Sequence, residues 1–250
     1  MRLVQDWARI THPGLLLSVL TVDHRLRPEA AAESNQVADW AGKLGLPHAT
    51  LAWEAEPKPA TGLQAKARAA RYGLMADWCR KEGAGALLTA HTLDDQAETV
   101  LMRLSRTKSP DSLAGIRPRG AWDDMPLIRP LLGVRRDALR DYLLSLEQPW
   151  IEDPSNADPR FERVRVRKAL AVPGTHDVSP ERLAALAERS GRAAEMLERM
   201  ARRWIDLWLR EEEAGVCHVA LADFHGLPAA LKARILGRIV SRYGGGQGEP

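Results

Sequence analysis

Asp95 and Glu98 lie three residues apart in the segment AHTLDDQAET, residues 90 to 99. On a helix that spacing puts both carboxylates on one face, while Leu93, Ala97, Val100 and Leu104 make an apolar stripe. Two acids so placed suit an amine or a metal ion. They equally suit the positive end of the helix dipole, where each is worth about 0.3–1 kcal/mol. Thr92 is a candidate N-cap, with Asp94 beside Asp95 in the first turn. In GLQAKARAARY, 62 to 72, Gln64, Arg68 and Arg71 share a stripe next to an apolar helix face. Snorkelling toward water is the default reading for either arginine taken singly. VDHRLRP, 22 to 28, follows a strand pattern, so Asp23 and His24 could face a nucleotide. A lone loop histidine is more often a polar surface group, and a metal site would need partners that the sequence does not show.

Basic residues gather in two places. Arg160, Arg163, Arg165, Arg167 and Lys168 fall within nine residues, and Arg199, Arg202 and Arg203 form a second cluster on a predicted helix. Each cluster fits a solvated face as well as it fits RNA.

The elements that must carry these groups alternate in the first half. LLLSVLTV, 15 to 22, reads as a buried strand, 30 to 44 as a helix, and ATLAW, 49 to 53, as a second strand. A helix over 63 to 82 follows, with Leu63, Ala67, Ala70, Leu74 and Trp78 on one face. ALLTA, 86 to 90, is a third strand, and 94 to 106 a helix. This rhythm predicts an α/β fold with a parallel sheet, whose ligands bind beyond the carboxyl ends of the strands. Asp95 and Glu98 are then expected at that edge, in one pocket that Arg71 also lines. From about 107 the pattern breaks into Pro- and Gly-containing connections, then a helix near 135 to 147, and then WIEDPSN, 150 to 156. A boundary there gives one domain over 1–150 and a smaller, mainly helical one over 151–250. The second holds helices near 179 to 213 and 227 to 243, a strand-like VCHVAL between them, and a closing loop GGGQGEP.

Composition agrees with a packed protein: 250 residues, 45% hydrophobic and 28% charged, leave ample apolar material for a core. No run of about 18 apolar residues and no signal-peptide pattern occurs, which predicts a cytoplasmic protein without a membrane partner. Cys79 and Cys217 stand far apart with no CxxC, so neither a disulfide framework nor a sulfur-ligated metal is expected, and both read as buried thiols. A net charge of +3 is compatible with nucleic acid but does not select it.

Taken in order, these strings resemble the tRNA(Ile)-lysidine synthase family of PP-loop ATP pyrophosphatases, over nearly the whole chain. The family's HxLDDQxET segment is matched by His91, Leu93, Asp94, Asp95, Gln96, Glu98 and Thr99, its ARxARY helix by residues 67 to 72, and its W-x-EDxSN signature by Trp150 to Asn156. Val164 departs, standing where many members have asparagine. The resemblance implies a PP-loop domain, Rossmann-like and of the adenine nucleotide alpha hydrolase type, followed by the helical domain. Family members begin with a strand and an SGGxDS loop whose amides and hydroxyls hold the ATP pyrophosphate. Here MRLVQDWARI matches the helix that follows that loop. The chain is therefore expected to be truncated at its amino end, and at its carboxyl end too. As written it should bind ATP weakly and make no product.

The implied reaction uses ATP, expected with Mg2+, to adenylate C2 oxygen of the wobble cytidine of tRNA(Ile). The side-chain amine of free L-lysine then attacks C2, and AMP leaves. Asp95 and Glu98 would orient lysine or take its proton, Arg71 and Arg163 would stabilise charge on phosphate, and Asp23, His24 and His91 would face the nucleotide. Arg163 would thereby act in the first domain although it follows the boundary. No protein-bound metal is expected, and homo-oligomeric assembly is left open. Two competitors remain: a catalytically dead tRNA-binding remnant, and another PP-loop tRNA-modifying enzyme such as a thiolase, although thiolases often carry cysteine pairs.

Overall fold

In the computed structural model the described residues are 1–25, 29–54, 63–107, 109–152, 158, 160, 162–171, 179–212 and 216–243. Arg27, residues 153–156 of WIEDPSN, the side chain of Gln64 and the closing GGGQGEP lie outside them. The chain packs into two compact units. The first is Met1–Ala90, Pro118–Pro130 and Asp141–Asp153; the second is His91–Arg117, Leu131–Arg140 and Pro154–Pro250. A boundary at 150 describes the order of element types along the chain, whereas packing groups the segments in this interleaved way.

The first unit contains α1 (Arg2–Thr11), β1 (Val19–Asp23), α2 (Ala30–Lys43), β2 (His48–Ala52), α3 (Leu63–Lys81), β3 (Leu87–Leu88), β4 (Arg119–Trp122) and β5 (Met125–Ile128). Strands β1 and β2 pair in parallel, Val19 opposite His48 through Asp23 opposite Ala52, with α2 as the crossover. Two polar bridges accompany that pairing: the Thr21 hydroxyl meets His48 Nε2 at 2.9 Å, and the buried Ser34 hydroxyl meets that of Thr50 at 2.7 Å.

Strand β3 does not join β1. It pairs in parallel with β5, which pairs antiparallel with β4, so among the described residues there are two separate ladders in this unit. Both pack on α3. Tyr72, Met75, Ala76 and Cys79 form the buried stripe of that helix, against Leu20, Val22, Leu51, Leu87, Met125 and Leu127. That stripe is rotated from the expected one, because Ala67, Ala70, Leu74 and Trp78 are only half-buried. The first strand is also shorter than its apolar run, starting at Val19 and leaving Leu15 and Leu16 exposed. The β4–β5 hairpin was hidden among connections by Pro126, a residue disfavoured in a strand flanked on both sides. It is tolerated because β3 reaches only Leu127 and Ile128, leaving Pro126 opposite Ala121 alone.

The second unit contains α4 (Leu93–Leu104), α5 (Pro110–Leu113), the start of α6 (Arg136–Ser145), α7 (Glu162–Ala171), α8 (Pro180–Trp208), β6 (Leu209–Glu211), β7 (Cys217–Val219), α9 (Leu221–His225) and α10 (Ala229–Tyr243). Helix α8 begins at a Ser179 cap that accepts from the Arg182 N–H, with Pro180 at the first position where its missing donor costs nothing. It ends at Trp208, short of the expected 213, because Leu209 turns extended into β6. Ala97 and Val100 of α4 pack on Leu183 and Ala187 of α8. Further along, Ala201 and Trp204 pack on Leu231 and Ile235 of α10. Glu198 holds the same two helices together through Arg234 and Arg238.

Cys79 is buried as expected, but Cys217, on the short edge strand β7, is only half-buried. Val164 is 5% exposed, so an apolar residue at that position fills a place against the unit's core. Among the described residues no helix is long and apolar enough to cross a membrane.

Candidate functional site

The chain passes from the end of β3 at Leu88 to the start of α4 at Leu93 within a few residues. Thr92 is extended there and caps the helix: its hydroxyl accepts from the Asp95 N–H at 3.3 Å, and Asp95 Oδ2 accepts from the Thr92 N–H at 2.8 Å and its hydroxyl at 2.7 Å. This reciprocal box usually carries glutamate or glutamine at its third position. With aspartate there, the carboxylate sits close to the helix end. The capping role that the sequence allowed for this segment is thus present.

Helix α4 buries more than its apolar stripe. Gln96, Glu98 and Thr99 are buried together with Leu93, Ala97 and Val100. Gln96 is fully used, donating to the Ile116 carbonyl at 2.9 Å and accepting from the Ile116 N–H at 2.6 Å. The loop carrying Ile116 can approach because Gly115 adopts φ 63°, and a Cβ there would meet Gln96 Oε1 at 2.4 Å.

Glu98, 1% exposed, is the acid around which arginines collect. Arg167 Nε donates to Glu98 Oε1 at 2.7 Å and its Nη2 to Oε2 at 3.4 Å. Arg163 Nε lies 3.7 Å from Oε2, and Arg163 Nη2 donates to the Thr99 hydroxyl at 3.3 Å. Arg136 Nη2 lies 3.8 Å from Glu98 Oε1 and 3.4 Å from Asp95 Oδ1. Asp94 completes the group: its Oδ2 accepts from the Arg136 N–H at 2.7 Å, and its Oδ1 pairs with Arg135 Nε at 3.2 Å. Arg135 in turn reaches Glu181 in the first turn of α8 at 2.6 Å. A buried carboxylate is tolerable only when paired and hydrogen-bonded, and Glu98 meets both conditions.

The charges shift one another. Burial alone would raise the Asp95 carboxyl, but hydrogen bonds from Thr92 and the Arg136 charge outweigh it and hold the group below its ordinary value. The hydrogen bond from Arg167 to Glu98 raises that guanidinium further. Burial, assisted by nearby Arg163, lowers Arg103, which donates to the Ser112 and Gly115 carbonyls.

Of the residues selected from the sequence, Asp95, Glu98 and Arg163 come together in the second unit, where His91 adds a weak positive influence on Asp95. Asp23, His24 and Arg71 belong to the first unit. Asp23 ends β1 and accepts from the Arg25 N–H at 2.8 Å. His24 lies edge-on to Trp53, with ring centroids 5.8 Å apart, and burial followed by the Arg71 charge lowers its pKa. Arg71 packs over the Tyr72 ring at 5.3 Å. His24 Nδ1 and Arg71 Nε are buried with no hydrogen-bond partner among the described residues. Such an omission costs about 1–3 kcal/mol per group, which a polar ligand would recover. Among the described residues no acid, histidine and cysteine cluster could hold a metal ion.

Sequence reasoning passed over Arg135 and Arg136 and gave Arg167 no role. One signal was available. Two arginines at the start of a helix oppose its dipole, so they imply an acidic partner from elsewhere in the chain.

Comparison with known proteins agrees with this layout. A PP-loop domain model matches residues 1–173. A tRNA(Ile)-lysidine synthase of Methylobacterium nodulans is 44% identical over 95% of this chain and 70% of its own length. The one of Rhodopseudomonas palustris is 44% identical over 98% and 70%, and that of Ruegeria pomeroyi 42% over 94% and 55%. Among solved structures, the U34-tRNA thiolase NcsA from Methanococcus maripaludis with its [4Fe-4S] cluster aligns with a TM-score of 0.63 at 15% identity, over 78% of this chain and 67% of that one; at that identity it speaks for the fold alone. With the PP-loop match covering well over half its residues and relatives above 40% identity along nearly all of it, this chain belongs to the tRNA(Ile)-lysidine synthase family of PP-loop proteins.

Proposed function

We propose that this chain carries the amine-binding and charge-stabilising groups for ATP-dependent ligation of L-lysine to C2 of the wobble cytidine of tRNA(Ile). Cytosine O2 is a poor leaving group until it becomes a phosphate ester. Attack of O2 on the α-phosphorus of ATP would release pyrophosphate and leave an O2-adenylated base. The neutral lysine amine then forms the C2–N bond, the C2–O2 bond breaks, AMP departs with the oxygen, and the amine proton passes to a carboxylate. Free lysine has a side-chain pKa near 10.4, so supplying the neutral amine at pH 7 costs about 4–5 kcal/mol unless the site removes the proton.

The observation that carries the reading is the meeting of Asp95 and Glu98 with Arg163, Arg167 and Arg136 around one buried carboxylate. Carboxylates serve a cationic amine, and guanidinium groups serve charge developing on phosphate. In the first unit, Asp23 and His24 are assigned to the nucleotide and Arg71 to its phosphates, and the buried nitrogens of His24 and Arg71 that have no partner among the described residues support a polar ligand there. The test is transfer of radiolabelled lysine to tRNA(Ile) by this chain fused to the SGGxDS segment of a family member. Transfer is expected, and Asp95→Ala should abolish it while tRNA retained on a filter changes little, since RNA affinity comes mainly from basic groups on phosphate. Absence of transfer by the unmutated fusion, or equal loss of tRNA binding in Asp95→Ala, would refute the assignment.

A further inference from the structure

Asp95 spends one oxygen on its own helix. Its Oδ2 takes both Thr92 donors, leaving Oδ1, and the group facing Oδ1 is Arg136 Nη2 at 3.4 Å. The same Nη2 lies 3.8 Å from Glu98 Oε1. Both separations are long for a charged pair, since N–H donors to carboxylate sit closer to 2.7–2.9 Å. Arg136 is thus near both acids and tightly bound to neither.

Among the described residues both acids and the Arg136 backbone have partners other than that guanidinium, although its charge helps hold the Asp95 carboxyl down. Glu98 is held by Arg167 at 2.7 Å, Asp95 by Thr92, and the backbone of Arg136 by its own N–H bond to Asp94 at 2.7 Å. The side chain can therefore swing away while the start of α6 stays in place. Four of its groups, from Cβ outward, are flexible methylene and guanidinium atoms, and the side chain is 29% exposed, so water is at hand to receive it.

We propose that Arg136 is a displaceable resident cation of the Asp95–Glu98 pair, occupying the place of the lysine amine until lysine arrives. This rests on the reading of those two acids as the lysine-binding pair. Arg167 already pairs with the buried Glu98, and the Arg136 guanidinium adds a loose counter-charge that Asp95 Oδ1 also faces. A permanent tight ion pair there would block the amine. At 3.4 and 3.8 Å the guanidinium supplies charge without that block. An incoming ammonium meets its repulsion, and only a ligand with further contacts wins the exchange. Arg136 acts on lysine through the acids and is a positioning residue, one that tunes affinity and selectivity.

The sign of the expected effect separates this role from a structural one. Titration calorimetry of L-lysine into the chain should show Arg136→Gln binding about tenfold more tightly than the unmutated protein, because a competing charge has been removed. Arg136→Lys, which keeps the charge, should return affinity toward the starting value, and Asp95→Asn should weaken it. Thermal unfolding of the glutamine variant should stay close to that of the parent, as loose, partly exposed ion pairs contribute little. Unchanged or weaker lysine binding in Arg136→Gln, with loss in Asp95→Asn, would overturn the displaceable-cation role and leave the lysine site standing. No lysine heat in the parent or in Arg136→Gln, both folded by thermal unfolding, would overturn the lysine site itself and this role with it.

Discussion

Glu98 and Arg167 are 69 residues apart in the chain, yet Arg167 Nε donates to Glu98 Oε1 at 2.7 Å. With Glu98 1% exposed, this contact fastens α7 to α4 and brings Arg163, one turn earlier on α7, to the same acid. The pair ties two helices together within the site proposed for lysine.

Glu98→Ala should therefore destabilise the protein. Removing the acid strands Arg167 and Arg163 near a buried surface, a loss on the order of 3 kcal/mol for a broken buried pair. Urea unfolding measures it. A change below about 1 kcal/mol would show that the arginines find water instead.

Thr92→Ala should cost about 1 kcal/mol, the usual worth of an N-cap. It should also raise the Asp95 carboxyl pKa, since the Thr92 hydroxyl is one of the groups holding it down. Because the folded value lies below the unfolded one of about 3.9, Asp95 adds stability that is present above about pH 4 and lost as pH falls through the folded value. In the variant that acid-side loss should shrink, as followed by carboxyl NMR titration and by unfolding between about pH 2 and 5. An unshifted Asp95 titration would remove the capping box from the account.

Arg163→Ala should separate activity from stability. Its contact with Glu98 is 3.7 Å long and its side chain 43% exposed, so folding should change by only about 0–1 kcal/mol. Adenylation of tRNA(Ile) by the SGGxDS fusion, followed as pyrophosphate release, should fall by roughly 10²-fold, the effect typical of losing a group that stabilises transition-state charge. A large shift in unfolding with unchanged pyrophosphate release would reassign Arg163 to structure.

In the first unit, His24 should titrate below 6.5, with burial the main cause and Arg71 the second. The folded state favours the neutral ring, so the stability it adds is present above pH 6.5 and lost as pH falls through the lowered value. Arg71→Ala should move the His24 ring resonances part of the way back toward 6.5. Titration at or above 6.5 in the parent would contradict the burial of the ring.

Local patterns were enough to place α2, α3, α4 and α10 within a few residues, because apolar periodicity and a cap such as Thr92 act within one or two turns. They also placed Asp95 and Glu98 on one helix face, and the motif strings carried the family. The sequence could not tell which side of α3 is deepest, since Ala67, Ala70 and Leu74 satisfy the same period as Tyr72, Met75 and Cys79. Nor could it tell that β3 pairs with β5 across an intervening stretch of chain, because ladder bonds join backbones and leave little mark on side chains. The convergence of Arg136, Arg163 and Arg167 on Glu98 was decided by tertiary structure alone. A guanidinium reaches only a few ångströms, and whether two helices cross within that reach depends on packing between segments about 40 and 70 residues away, such as Ala97 and Val100 against α8.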